Sequence, residues 1–384
     1  MRFDLTEDQR LLVATAEEFV QRECPPEKVR RHAREGTFDE TTWRKFAANG
    51  WLGLGLPEEK GGSGGTLLDA VLLLEATSAA EEAIGLPFGT MCFGGHMLAS
   101  IGSERQRTEV LPRLLDGSVR FALSITEPGG GTDVLGAMRT TARRTDRGWV
   151  INGQKIYTTG AATADYLVVV ARTSPVVGTK RAGGVSLFLV DSRTPGVSKT
   201  PIEVINDDST SQVFYDNVEV DHEAVIGEVD RGFYGILPVL NYERIGTAAM
   251  CLSWGQGALD EVLGHARSRE AFGGIIGRFQ AVQHHIARMH LLLEQARLMV
   301  YRAAWLQSQG RESGIESTAA KAVAAENSFA ACDTGMQVLG GFGYTKDSDL
   351  NRFWRKTRLY RLAPVSNEMA LNNVAESLGL PRSY

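Results

Sequence analysis

The hydrophobic period of this chain changes twice, and those two changes constrain the fold more than any single motif. Up to residue 120, apolar side chains recur at helical spacing, as in LTEDQRLLVATAEEFVQREC. From Phe121 the pattern becomes short β-branched segments bounded by turn residues, and from about Gly232 the helical period returns. We therefore expect an α+β protein with a helical N-terminal domain (1–121), a β domain (122–231) and a helical bundle (232–384).

Local signals refine each part. Thr6 is placed to cap the first helix. Asn152-Gly153 lies between two alternating segments of WVINGQKIYTT (149–159), which predicts a β-hairpin there. Together with the short strands that follow, it favours a small antiparallel barrel or sandwich. In the last third, one long helix is predicted to bury a stripe formed by Val282, Ile286, Met289, Leu293, Ala296 and Val300.

The segment RLAPVSNEM (361–369) interrupts the helical pattern near the C-terminus. Pro364 cannot continue a helix, so we expect a short irregular loop. Ser366 is placed to cap a following helix that runs from Asn367 to about Ser377. Loops that interrupt helices often line binding or catalytic sites. However, no side chain between Leu362 and Asn367 ionises near neutral pH.

Composition excludes several kinds of partner. The net charge is −5 and the basic residues are scattered, so a nucleic-acid surface is not expected. No stretch approaches the roughly 20 apolar residues that a membrane helix requires, and the N-terminus lacks the pattern of a secretory signal. The four cysteines are far apart in sequence and form no CxxC motif, which predicts buried reduced thiols in a cytoplasmic protein. They are Cys24, Cys92, Cys251 and Cys332.

Several common chemistries are absent from the sequence. There is no GxxxxGK[ST], no GxGxxG between a strand and a helix and no HExxH. His284 and His285 are neighbours on a predicted helix, but no acidic or cysteine residue accompanies them. A surface or packing role is therefore expected for both, and no metal site.

The stretch SITEPGGGTDV (124–134) stands where helices give way to strands. Three consecutive glycines let backbone N–H groups approach a ligand, although an ordinary glycine-rich turn would look the same. It is followed in order by INGQKIYTTG (151–160), REAFGGIIGRFQAVQ (269–283) and QVLGGFGYTKD (337–347). With these four motifs, the sequence resembles the acyl-CoA dehydrogenase flavoprotein family over essentially its whole length.

The resemblance implies a fold and an assembly. Members have a helical N-terminal domain, a central β domain and a C-terminal four-helix bundle, and they usually form tetramers as pairs of dimers. FAD lies between the β domain and the bundle. The substrate would be an acyl-CoA or a carrier-bound acyl thioester, and the electron acceptor would be an electron-transferring flavoprotein.

The resemblance also implies cofactor residues. Thr132 would approach the substrate as well as the flavin. Tyr157 stands where most relatives carry tryptophan, and both side chains offer a flat apolar face with one polar group. The residues implied to line the FAD of the same chain are Ile125, Thr126, Gly131, Thr132, Tyr157 and Thr159. The residues implied to reach the FAD of the neighbouring subunit are Arg269, Phe272, Gln280, Gln337, Gly340 and Gly341.

The family reaction removes the α proton of a thioester and passes the β hydride to flavin N5, so it requires a base. Many members carry a glutamate in the loop before the final helix, and that position aligns with Pro364 here. Some members place the glutamate on a neighbouring helix, which aligns with LNYERIG (240–246) and supplies Glu243. Desolvation would raise its pKa toward a useful range.

Alternatives to this assignment are open at this point. A glutamate in the first turn of a helix is common because it complements the macrodipole, and Glu368 is a second candidate. By resemblance, Ser366 and Glu368 match polar positions that touch the cofactor, and Asn241 and Arg244 match positions that contact the acyl-CoA.

Three functions are compatible with a loop that lacks its glutamate. The first is an FAD-dependent dehydrogenase of an acyl thioester with Glu243 as base. The second is a flavin-dependent monooxygenase of the same fold. The third is a non-catalytic subunit that completes a heteromeric assembly.

Overall fold

The computed structural model describes residues 4–176, 178, 181–205 and 210–382. The chain divides into two compact units. One contains the described residues up to Arg31, Thr66–Ala83 and the chain from Asn241 onward, and the other contains His32–Gly65 and Ile84–Leu240. No helix in the described part of the chain is both long enough and apolar enough to cross a membrane.

Helices dominate both ends of the chain. In chain order they are α1 (Glu7–Glu23), α2 (Pro26–Glu35), α3 (Glu40–Ala48), α4 (Leu67–Thr77), α5 (Glu81–Ile84), α6 (Pro87–Gly89), α7 (Gly95–Ile101), α8 (Leu111–Leu115), α9 (Gly232–Ile236), α10 (Val239–Ser268), α11 (Gln280–Ser308), α12 (Gly314–Leu339), α13 (Asp349–Tyr360) and α14 (Asn367–Ser377). The strands are β1 (Phe121–Ser124), β2 (Thr141–Thr145), β3 (Gly148–Thr159), β4 (Tyr166–Arg172), β5 (Val185–Asp191), β6 (Val197–Ile202), β7 (Thr210–Val220), β8 (Val225–Ile226), β9 (Glu270–Ala271) and β10 (Gly274–Ile275).

The central sheet is open and mixed, so the prediction of an antiparallel barrel or sandwich is wrong. Its strands follow the order β6-β7-β3-β2-β4-β5-β8, and β1 also pairs with β4. β5 occupies one edge of β4 over the whole strand, while β1 and β2 share the other edge and both run parallel to β4. Among the described strands, β6 and β8 do not pair with each other, so the sheet does not close. The three-part organisation itself, with helical ends around a central sheet, is as expected.

Both faces of the middle of the sheet are covered. In β4, Val168 and Val170 belong to one apolar core, whereas Leu167, Val169 and Ala171 belong to the core on the other face. A strand that is buried on both faces needs no polar alternation, which explains the continuous apolar run YLVVVA.

The prediction of a hairpin at Asn152-Gly153 is also wrong. β3 runs without a break through this dipeptide, and the hairpin turn lies earlier, at Asp146-Arg147, where Thr145 pairs with Gly148. Gly153 has φ +150°, and a Cβ there would lie 2.4 Å from Thr140 Oγ1. The glycine therefore serves a strand irregularity and close packing instead of a turn.

The helical unit follows the predicted pattern closely. Thr6 accepts a hydrogen bond from the Gln9 N–H in a capping box, and Ser366 accepts one from the Met369 N–H at the start of α14. On α11, the last four members of the predicted stripe are fully buried, and Val282 and Ile286 are half-buried. Asn327 Nδ2 on α12 donates to the Leu292 carbonyl on α11 at 2.8 Å, while Gly335 approaches Met289, which fixes an antiparallel pair.

Two glycines of α10 give a matched test of this packing. A Cβ on Gly257 would lie 2.8 Å from two ring atoms of Phe353, whereas a Cβ on Gly264 would meet nothing within 4 Å. We expect Gly257→Ala to lower the free energy of unfolding by about 1–3 kcal/mol through overpacking. Gly264→Ala should raise it by up to about 1 kcal/mol, because alanine favours the helix. Urea unfolding of both variants measures this, and equal effects would contradict the packing described for α10.

Candidate active site

The glycine-rich loop after β1 lies directly against β3. The Ile125 carbonyl accepts a hydrogen bond from Lys155 Nζ at 3.0 Å, and the Thr126 carbonyl accepts one from the Ile156 N–H at 2.9 Å. Three residues that the resemblance assigns to the flavin, Ile125, Thr126 and Tyr157, are thereby brought together.

A buried ion pair fixes this arrangement. Lys155 Nζ donates to Glu127 Oε1 at 2.8 Å, and the same carboxylate accepts the N–H groups of Arg139 at 2.6 Å and Thr140 at 2.9 Å. Burial lowers the pKa of Lys155 to about 8 despite the neighbouring carboxylate. Burial acts to raise the pKa of Glu127, but the ammonium and the two N–H groups leave it below its usual range. Both groups are therefore ionised at neutral pH.

Tyr157 occupies a β-bulge. Between the pairs Lys155–Val213 and Thr158–Ser211, β3 contains one residue more than β7, so Lys155 and Thr158 both face inward. Tyr157 adopts φ +58°, which is unusual for a bulky side chain, and its ring is 61% exposed. Strained backbone of this kind concentrates at functional sites. The bulge presents one flat aromatic face next to the glycine-rich loop.

The three glycines of this loop differ in their surroundings. A Cβ on Gly130 would collide with Ala137 at 2.4 Å, so internal packing alone requires that glycine. Cβ atoms on Gly129 and Gly131 would meet nothing within 4 Å. Thr132 is exposed beside them, and Thr159 is exposed at the end of β3. Bare backbone, two hydroxyls and an aromatic face fit the edge of a planar heteroaromatic group such as a flavin.

A second set of site residues lies at the start of α10. The helix begins at Val239, so Glu243 is its fifth residue, and the first turn contains no acidic residue. Glu243 therefore lies beyond the first turn, where a carboxylate would stabilise the helix by interacting with its dipole. Burial raises the pKa of Glu243 to about 7, and the adjacent Arg244 guanidinium opposes the shift only in part. Arg244 Nη1 donates to Asn241 Oδ1 at 3.1 Å, so the three predicted residues share one helical turn.

The loop between α13 and α14 carries the other predicted residues of this set. Pro364 is exposed and offers no ionisable group. Glu368 is exposed in the first turn of α14, where its own N–H and the Ser366 hydroxyl hold its pKa below the usual value. An exposed carboxylate that stays ionised is a weaker base than a half-buried one with a pKa near neutrality.

A third set lies at the opposite end of α10. Arg269 follows the helix directly, and β9 and β10 form a hairpin whose central residues, Phe272 and Gly273, both have positive φ, as a type I′ turn requires. The Phe272 ring is 95% exposed, and Gln280 begins α11 nearby. An aromatic residue held outward on a strained turn is typical of a contact surface.

The end of α12 joins this third set. Gln337 is exposed in its last turn, Gly340 ends the helix with φ +62°, and a Cβ on Gly341 would meet nothing within 4 Å. The ring of Phe342 stacks on His265 of α10 with centroids 6.5 Å apart. Along α10, the distance from Glu243 to Arg269 is about 39 Å, so these two residues cannot meet at one reacting centre.

Sequence reasoning missed four buried residues that support these sets. Lys155 and Glu127 hold the glycine-rich loop, while Ser317 and Lys321 on α12 contact the start of α10 and the α13–α14 loop. A signal was present for Lys155, because strand alternation from Trp149 and Ile151 places it on the buried face. Lys321 gave a weaker signal, as one cation on the alanine-rich face of α12.

Family comparisons cover nearly the whole chain. Three models, described as the N-terminal, middle and C-terminal domains of acyl-CoA dehydrogenase, match residues 6–118, 122–218 and 230–379.

Individual relatives agree with these matches. The chain is 36% identical over 363 residues to the acyl-CoA dehydrogenase FadE12 of Mycobacterium tuberculosis, covering 93% of this chain and 92% of the relative. Butyryl-CoA dehydrogenase from Megasphaera elsdenii has a similar structure, with a TM-score of 0.92, 27% identity and coverage of 99% and 100%. The structure described as PigA with FAD and proline gives a TM-score of 0.91, 27% identity and coverage of 99% and 100%.

The Lys155–Glu127 pair makes a stability prediction. Lys155→Met leaves a buried carboxylate without its cation and should lower the free energy of unfolding by about 3–5 kcal/mol. Adding Glu127→Gln should recover part of that loss, because the buried charge is then gone. Lys199→Met is the control, since this lysine is only half-buried and donates to the Ala161 carbonyl. Urea unfolding reports all three, and a K155M midpoint equal to that of K199M would contradict the prediction.

Proposed function

Since this chain belongs to the acyl-CoA dehydrogenase family, we propose that it catalyses the FAD-dependent α,β-dehydrogenation of an acyl-CoA with Glu243 as the base. The observation that carries the assignment is the environment of Glu243. Its carboxyl group has a pKa raised to about 7 by burial, at the start of a long helix beside Arg244. A base with a pKa near neutrality can accept a proton from carbon and still be ionised often enough to act.

The other carboxylate near this set fits the role less well. Glu368 is exposed and kept ionised at the start of α14. The loop Arg361–Ser366 contributes no carboxylate, because Pro364 stands where many members carry the glutamate. Glu243 thus supplies the base that the loop lacks, and neither a monooxygenase nor a non-catalytic subunit is needed to explain that lack.

Asn241 and Arg244 are proposed to bind the acyl-CoA. The guanidinium is oriented by its hydrogen bond to Asn241 Oδ1, which leaves further N–H donors for the thioester and its pantetheine arm. A fixed fork of donors beside the base holds the α carbon within reach of Glu243. The same arm is present in acyl-CoA and in a carrier protein, so these contacts suit both.

FAD is proposed to contact Ile125, Thr126, Gly131, Thr132, Tyr157 and Thr159. By the family resemblance, Ser366 and Glu368 are proposed as cofactor contacts as well. The open backbone at Gly131 and the exposed ring of Tyr157 support this set. When bound, FAD supplies the acceptor for the β hydride. The residues of this chain hold it, exclude water from it and move the α proton.

A second copy of the chain is proposed to complete each cofactor site. Arg269 directly follows α10, about 39 Å along the helix axis from Glu243, so it is proposed to act at another site. The same is proposed for Phe272, Gln280, Gln337, Gly340 and Gly341. The outward ring of Phe272 supports a contact with a neighbouring subunit. A homotetramer arranged as a pair of dimers would satisfy this, with an electron-transferring flavoprotein as acceptor.

Replacement of the base gives a direct test. In an anaerobic titration with a panel of acyl-CoAs, the wild-type flavin should bleach, and Glu243→Gln should slow bleaching by about 10²- to 10⁴-fold. Glu368→Gln is the control and should change the rate by only a few-fold. Loss of bleaching in E368Q with normal bleaching in E243Q would move the base to Glu368.

The pKa of Glu243 predicts a pH profile. The carboxylate must be ionised to accept the α proton, so kcat/KM should rise with pH and level off above about 7. Stability should change in the opposite direction. Because the folded-state pKa lies above the ordinary value, the contribution of Glu243 is fully present below about 4.5 and is lost as pH rises through about 7.

Comparison of variants across pH isolates this group. E243Q cannot ionise, so it avoids the loss of stability that the wild type suffers as pH rises. The free energy of unfolding of E243Q minus that of the wild type should therefore be larger above pH 7 than below pH 4.5, by up to about 3 kcal/mol. Urea unfolding at pH 5 and pH 8 measures the change. A stability difference that is the same at both pH values would show that Glu243 has an ordinary pKa.

A further inference from the structure

One face of α12 touches two parts of the proposed site through buried polar side chains. Ser317 and Lys321 are one turn apart on this helix, and both side chains are fully buried. Their Cα atoms are therefore separated by about 6 Å along the helix axis. Polar groups this deeply buried in an alanine-rich helix need an explanation.

Lys321 binds the loop that precedes α14. Its ammonium donates to the Val365 carbonyl and, at 3.2 Å, to Asn367 Oδ1. Both acceptors are neutral oxygens, so the desolvation of the cation is offset only in part. Burial lowers the pKa of Lys321 to about 8 accordingly. The two acceptors flank Ser366, whose hydroxyl caps α14, so this one cation fixes the last residues of the loop and the first turn of the helix.

Ser317 binds the start of α10. Its hydroxyl lies 3.2 Å from Asn241 Oδ1, the same oxygen that accepts the Arg244 guanidinium at 3.1 Å. The Gly314 carbonyl is a second acceptor for the single hydroxyl proton, at 3.0 Å. Ser317 therefore links α12 to the turn of α10 that contains Glu243.

We propose that Ser317 and Lys321 are positioning residues, through which α12 sets the placement of the Glu243 turn and of the Val365–Asn367 segment relative to each other. The inference rests on the proposed function and extends it. With Pro364 in the loop, no carboxylate side chain there can be held by the substrate or by a neighbouring donor. The loop is instead held by its main-chain carbonyl at Val365. Ser366 and Glu368 then meet the cofactor from a fixed backbone while Glu243 stays in place on α10.

The test compares substitutions on one helix. Lys321→Met keeps the length of the side chain without its donors, and Ser317→Ala removes the hydroxyl. Ser328→Ala is the matched control, because Ser328 is equally buried on α12 but its hydroxyl has no hydrogen-bond partner in the described part of the structure. Each variant is purified with FAD and examined by hydrogen exchange of the 361–370 backbone, by the visible spectrum of the oxidised flavin and by the rate of flavin reduction by acyl-CoA.

In Lys321→Met, amide exchange at 365–369 should be faster by about tenfold or more, the flavin band should shift, and reduction should slow by about tenfold. Ser317→Ala should raise KM for the acyl-CoA, because Asn241, which orients Arg244, loses its contact with the Ser317 hydroxyl. Amide exchange at 365–369 should stay unchanged. Ser328→Ala should match the wild type in all three measurements.

Either of two results with Lys321→Met would overturn the proposal. One is exchange and a flavin spectrum in Lys321→Met that match those of Ser328→Ala. The other is faster exchange with an unchanged spectrum and reduction rate, which would make Lys321 purely structural. If Lys321→Met does not fold, Asn367→Ala removes one acceptor of the same contact, and unchanged exchange in that variant would also overturn it. A wild-type flavin that no acyl-CoA reduces would refute the proposed function, while exchange and spectrum would still decide the role of Lys321.

Discussion

The buried contact between Lys155 and Glu127 determines the geometry of the glycine-rich loop and of the bulged strand beside it. A lysine ammonium inside a protein is tolerated only with a partner of opposite charge or several good acceptors. Here the partner is Glu127 within the glycine-rich loop, and its carboxylate also accepts two backbone N–H groups from the segment leading into β2. One ion pair therefore joins the loop, the bulged strand and the approach to the next strand. The outward turn of Tyr157 follows from it, because the bulge is what lets Lys155 and Thr158 both face inward.

In the unit that contains α10, α11 and α12, the length of the helices separates the predicted site residues. α10, α11 and α12 are long enough that residues adjacent to their two ends cannot meet at one ligand. The predicted site residues are divided accordingly. The predicted base Glu243 and the predicted substrate contacts Asn241 and Arg244 lie at one end, and the predicted cofactor contacts Arg269, Phe272 and Gln337 lie at the other. This division is consistent with the proposed association of chains, in which each copy offers one set to its own site and the other set to a neighbour.

Predictability from the sequence depended on how local each signal was. The caps at Thr6 and Ser366 and the stripe on α11 were correct because they involve residues within a few positions of each other. The hairpin at Asn152-Gly153 was wrong because a contact with Thr140, distant in sequence, requires that glycine. The barrel was wrong because β1 and β2 share one edge of β4 in parallel, which no strand pattern reveals. The placement of site residues came from family motifs, and the buried lysines were missed because a lysine in a sequence carries no mark of burial.

The proposed position of the base on α10 has a physical consequence for the α13–α14 loop. A carboxylate on a loop can adjust to its substrate, but its precision depends on whatever holds the loop. Glu243 is on a 30-residue helix whose next residues, from Ile245 to Leu252, are fully buried, so its backbone cannot move without disturbing the core. With Glu243 as the proposed base, the loop needs no catalytic carboxylate and can contain proline, a residue that offers neither a backbone donor nor a carboxylate. The loop still positions Ser366 and the first turn of α14. Lys321 on α12 holds it there through the main-chain carbonyl of residue 365, which any amino acid at that position would supply.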